Sequence, residues 1–115
     1  MAYDEDLAGR VRELLAAEVD LDERRMFGGL AFLLGGNMAV AASSRGGLMV
    51  RVDRAEVAAL IEADGVEPME MRGRSMGGWL HVESGAIRTG RQLSRWVERG
   101  ARTARALPPK PPRRR

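Results

Sequence analysis

Arginine is the residue whose number and spacing carry the most chemistry in this 115-residue chain. Residues 88–115 hold ten basic groups and one acid, Glu98, a local charge of +9, whereas residues 1–87 hold nine basic groups and fifteen acids, −6, for a net +3. Arg88, Arg91, Arg95, Arg99, Arg102 and Arg105 recur at steps of three and four. At about 100° per residue they fall within an arc of roughly 120° on a helix, with Glu98 toward its edge. Several guanidinium groups on one accessible face neutralise phosphates and grip carboxylates in a bidentate way. The stripe, continued by Lys110, Arg113, Arg114 and Arg115, is therefore a candidate nucleic-acid or polyanion surface. Nothing in it resembles a base-reading motif, so such binding is expected to be indifferent to nucleotide sequence. The alternative is a solvated helix face that only keeps the chain soluble.

Two smaller groups could form a surface for a protein partner. In Met26-Phe27-Gly28-Gly29 the glycines would let another backbone come close, or they only form a bulge and make room for a packed helix. Arg72, Arg74 and Trp79 combine guanidinium groups with an indole, either as a small anion or partner site or as an Arg-rich loop above a core Trp. His81, the one histidine, has no spaced His, Asp or Glu cluster around it, so neither general acid/base work nor a metal site is expected there. The HExxH and phosphate-loop patterns are absent, and the paired glycines do not make a dinucleotide fingerprint. With no cysteine, thiolate metal sites, Cys nucleophiles and disulfides are excluded. No catalytic residue, cofactor or metal is expected.

The elements that must carry these residues follow from periodicity. Leu7, Val11, Leu14 and Leu15, behind Asp4, Glu5 and Asp6, predict a helix over about 4–18. From Met26 to Ser44 two strands are expected about the turn Gly35-Gly36-Asn37. After Arg45-Gly46-Gly47 comes a third strand with Leu48, Val50 and Val52 on one face. Asp53 with Glu56 resembles a capping box for a short helix with Val57, Leu60 and Ile61. Residues 68–72 and 78–83 read as two further strands joined by 73–77. The last helix is expected over about 87–107, with Leu93, Trp96, Val97, Gly100, Ala104 and Leu107 facing inward. Met69 and Met71 alternate along a strand and are read as core. Pro108-Pro109 stops the helix, and 108–115 is expected to be a disordered basic Pro/Arg tail.

The expected fold is thus α+β: an α-β-β-β-α-β-β-α domain over 1–107, with a five-stranded, largely antiparallel sheet packed against helices in two layers. The acidic N-terminus lacks a signal-peptide pattern and no apolar run suits a membrane span, so a soluble, cytoplasmic protein is expected.

Arg25-Met26-Phe27-Gly28-Gly29, Gly47 to Val52, and Pro68 to Trp79 with its GRSMGGW segment resemble the N-terminal domain of the TfoX/Sxy competence-regulator family, over about residues 5–100. The resemblance implies the same element order and no enzymatic activity. Proteins of the two-domain type in that family are positive regulators of competence genes and work alongside transcription machinery. This sequence carries a basic tail where those proteins have a helical second domain. Two functions compete. The first is a non-enzymatic regulatory module with an unidentified protein partner or a homodimer interface. The second is a sequence-nonspecific nucleic-acid-binding protein that uses the basic helix and tail.

Overall fold

The first helix starts where Asp4, in extended conformation, accepts a hydrogen bond from the Leu7 N–H at 3.1 Å through its side chain. This is the N-cap that satisfies one of a helix's unpaired amides. In the computed structural model, which describes residues 3–26, 28–71 and 73–108, helix α1 spans Glu5–Leu14, four residues short of the predicted end. Six strands follow: β1 (Leu21–Met26), β2 (Gly29–Leu34), β3 (Asn37–Ala42), β4 (Leu48–Arg51), β5 (Val66–Met71) and β6 (Arg74–Val82). Helix α2 (Val57–Leu60) sits between β4 and β5, and helix α3 (Gly90–Arg105) closes the chain. Short 3-10 turns precede α2 and α3, at Arg54–Glu56 and Ser84–Ile87.

All six strands form one antiparallel sheet in the order β1-β2-β3-β4-β6-β5. The α+β class stands, with six strands where five were expected. The additional strand is β1, whose sequence LDERRM carries four consecutive charges and no apolar alternation. It lies at the sheet edge, where charged side chains stay solvated and discourage pairing with another chain. The other edge, β5, carries Pro68, which lacks a ladder donor. Of the residues expected to link the last two strands, 74–77 are themselves strand: β6 begins at Arg74, and a three-residue register shift lies between the Pro68–Leu80 and Glu70–Ser75 pairs.

The β2–β3 connection is the expected tight turn, with Gly35 at φ 58° and Gly36 at φ 85°. Both angles lie in the left-handed region that a two-residue hairpin of this hand needs and that glycine enters without strain.

Every helix packs on one face of the sheet. Leu30, Phe32 and Leu34 of β2, Val40 and Ala42 of β3, Leu48 and Val50 of β4, and Leu80 and Val82 of β6 meet Leu7, Val11, Leu93, Val97, Ala101 and Ala104. The opposite face has its own cluster, Ala31, Leu33, Ala41, Met49, Met69 and Trp79, drawn from strands alone, with Met26 and Met38 half-buried beside it. Burial on both faces explains why β2 and β3 read as unbroken apolar runs.

Helix α3 is capped by a reciprocal pair absent from the sequence reading. The Thr89 hydroxyl accepts from the Gln92 N–H at 3.1 Å, and the Gln92 side chain accepts from the Thr89 N–H at 3.0 Å. The T-x-x-Q spacing is the signal that would have found it. By contrast, Asp53 caps the turn before α2 through the Ala55 N–H at 3.0 Å, while Glu56 turns away to Arg99.

Candidate interaction surface

Helix α3 lies with Leu93, Val97, Gly100, Ala101 and Ala104 against the sheet, so its arginines are turned outward by the same periodicity. Its start is fixed from α1, where the Arg10 guanidinium donates to the carbonyls of Ile87 and Arg88 at 3.3 Å each. Trp96 is half-buried against the core and Leu107 is 36% exposed, so the inward set is narrower than expected and includes Ala101.

The six arginines separate into two groups. Arg99 reaches Glu56 at 3.4 Å and stands 5.7 Å from the centre of the Trp96 ring. Arg105 makes a two-pronged pair with Glu18, 3.1 Å on each prong, and so ties the end of α3 to the segment after α1. Arg88, Arg91, Arg95 and Arg102 are exposed and join no ion pair among the described residues. The chain leaves α3 beside the β2–β3 turn, where the buried Asn37 side chain donates to the Pro108 carbonyl at 2.9 Å. Lys110, Arg113, Arg114 and Arg115 lie outside the described residues.

The sheet registers decide how the seven other candidates lie. Met26 pairs with Gly29 at the end of the sheet that also holds Ala42, Leu48, Val82 and Val66. Trp79 pairs with Arg51 toward the other end, and Arg74 lies beyond it at the β5–β6 turn. The two groups therefore sit at opposite ends of the sheet. Phe27 and Arg72 lie outside the described residues.

Close packing accounts for the glycines of the first group. Gly28 has φ 78°, and a Cβ there would stand 3.1 Å from the Ser44 Cβ, while a Cβ on Gly29 would run into the Ala42 carbonyl oxygen. Trp79 is 8% exposed. Its cationic neighbour is Arg51, whose guanidinium carbon lies 4.7 Å from the ring centre and whose Nε donates to the Met38 carbonyl at 2.7 Å. Burial lowers the pKa of Arg51 from the usual arginine range. The alternation of β4 places Arg51 opposite Val50, yet only the β4–β6 register brings it to Trp79.

His81 is 5% exposed on the sheet face that carries Met49, its cross-strand partner. Its Nε2 lies 2.8 Å from the Gly46 carbonyl, which only accepts, so the ring proton sits on Nε2 and Nδ1 is left without a partner among the described residues. Among those residues, no group of three or more His, Asp or Glu could hold a metal ion. None of the described helices is long and apolar enough to cross a membrane.

The family model of the TfoX N-terminal domain matches residues 13–104, most of the chain and nearly all of the sheet and α3. The chain belongs to this family. Comparison with curated proteins gave no match. The family match takes in the MFGG and GRSMGGW segments and five arginines of the stripe, and ends one residue before Arg105.

Proposed function

We propose that this TfoX N-terminal-type protein is a non-enzymatic regulatory module that acts by binding a protein partner, with the outer side of α3 as its recognition face. The observation that carries the reading is the row of exposed Arg88, Arg91, Arg95 and Arg102 without carboxylate partners among the described residues. Arginine fits an interface because its planar fork binds carboxylates in pairs and its weak hydration lowers the cost of burial. The partner surface is then acidic, and two copies of this chain would not meet through it, since like charges would face one another. A role in transcription or competence control follows the family, and a cytoplasmic setting fits the cysteine-free sequence.

The test is capture on the immobilised full chain from nuclease-treated lysate, compared with the double variant Arg91→Glu, Arg102→Glu. A protein retained by the parent and lost by the variant supports the proposal. Equal retention by both removes α3 from the interface.

Nucleic-acid binding is the second reading, favoured by the four further cations that follow α3 at Lys110, Arg113, Arg114 and Arg115. It requires affinity for a DNA duplex that falls steeply with salt and drops when the chain ends at Leu107.

A further inference from the structure

Between α3 and the turn that links α2 to β5 lies an open cleft of about 300 Å³, lined by Ala63, Asp64, Val66, Ala86, Gln92, Arg95, Trp96 and Arg99. The size is at the lower end of small-molecule sites, roughly 300–1,000 Å³. Four of the lining residues, Gln92, Arg95, Trp96 and Arg99, follow one another at helical steps on the flank of the arginine stripe.

The walls differ in chemistry. Arg99 is already held by Glu56, so Arg95, exposed and in no ion pair among the described residues, is the cation open to a ligand. The capping bond occupies the Gln92 carbonyl oxygen and leaves its NH₂ to donate. Asp64, across the cleft, is exposed and accepts no hydrogen bond among the described residues. Between these polar ends, Ala63, Val66, Ala86 and Trp96 offer apolar surface.

A zwitterion would satisfy Arg95 and Asp64, but Arg88 and Arg91 add positive potential along the same helix, which favours a ligand with net negative charge. The apolar middle favours a flat ring, and Asp64 favours hydroxyl or amino donors on it. We propose that the cleft is a subsite for one nucleotide unit, with the phosphate on Arg95 and the Gln92 amide, the ring against Trp96, and donors of the sugar or base toward Asp64. Either a free mononucleotide or one unpaired nucleotide of a single strand supplies this chemistry. Arg95 belongs to the outer face of α3 as well, and the assignment concerns the chain with that face free of a protein partner.

The experiment is a ¹⁵N–¹H correlation titration of the full chain with adenosine monophosphate at millimolar concentration, with adenosine and inorganic phosphate titrated separately. The two indole N–H signals are told apart by Trp96→Phe. The expected result is movement of the Trp96 indole signal and of amides in 63–66 and 92–99, with the Trp79 signal unmoved and weaker binding of either fragment. Arg95→Ala, an exposed change checked for an unaltered spectrum, should weaken binding about tenfold or more, as loss of a charge-assisted pair would. Arg102→Ala, outside the cleft, should change it less than about twofold. A still Trp96 signal, or equal effects of Arg95→Ala and Arg102→Ala, overturns the proposal and leaves diffuse charge attraction. A single-stranded oligonucleotide that binds more than about tenfold tighter than the mononucleotide assigns the site to a strand, and equal affinity assigns it to the free nucleotide.

Discussion

Gly100 of α3 lies directly over Ala39 of β3, so close that a Cβ at position 100 would stand 2.5 Å from the Ala39 carbonyl oxygen and 2.7 Å from a methyl of Val40. The contact sets the distance between the helix and the sheet, and thereby the position of the whole arginine face. Gly100→Ala would gain up to about 1 kcal/mol of helix propensity. The clash is with backbone, which cannot swing aside, and overpacking of this kind costs about 1–3 kcal/mol. Net destabilisation is expected, read as a lower urea midpoint at unchanged slope. A variant as stable as the parent would show that α3 can lift away from β3.

The Thr89 and Gln92 capping pair predicts that Thr89→Ala loses about 1 kcal/mol of stability while Thr89→Ser stays close to the parent. Amide exchange checks where the loss arises. The first turn of α3 should exchange faster in the alanine variant, with the sheet amides following only the global change.

Arg12 and Glu23 tie α1 to the charged edge strand, with Arg12 donating at 2.6 and 2.9 Å. The hydrogen bond from Arg12 holds the Glu23 carboxyl below the usual 4.5. A carboxyl whose folded pKa is depressed stabilises the fold above its unfolded pKa and loses that contribution as pH falls through the folded value. Thermal stability of the parent should therefore fall below the ordinary carboxylate range, and Glu23→Gln should reduce that decline. The check is the melting temperature of both proteins at about pH 7 and about pH 3. Parallel curves would remove the pair from the acid response.

Arg51 joins β4, the Met38 carbonyl and the Trp79 ring in one arrangement. Arg51→Ala leaves that carbonyl without its donor and the indole face uncovered, a loss of about 1–3 kcal/mol. Arg51→Lys should recover only part of this, because an ammonium cannot both donate in the guanidinium plane and stack flat on the ring. Denaturant unfolding, with Trp79 fluorescence in a Trp96→Phe background as a second probe, reads both effects. Full recovery by lysine would mean that charge alone matters there.

Much of the fold could be read along the chain because its cause is local. The apolar steps of α1 and α3, the Gly35-Gly36 turn and the one-sided Leu48, Val50 and Val52 each follow from the period of a helix or strand. The outward placement of the arginines is part of the same periodicity, since burying Leu93 and Val97 turns Arg91, Arg95 and Arg102 to solvent. Family membership was legible as well, in the MFGG and GRSMGGW segments.

Edge strand β1 was not legible, because only its end residues, Leu21 and Met26, pack against the core clusters and the four residues between them are all charged. Nor was the sorting of the arginines, which depends on Glu56 and Glu18 arriving from distant parts of the chain to engage Arg99 and Arg105 while leaving Arg88, Arg91, Arg95 and Arg102 without an acid among the described residues. Sheet register, a long-range property, separated Met26 from Arg74 and gave Trp79 the companion Arg51. The cleft beside Trp96 has the same origin, with one wall drawn from α3 and the other from residues some thirty positions earlier. Local periodicity determined the elements and their faces, and the pairing of remote segments decided which charges remain open to a partner.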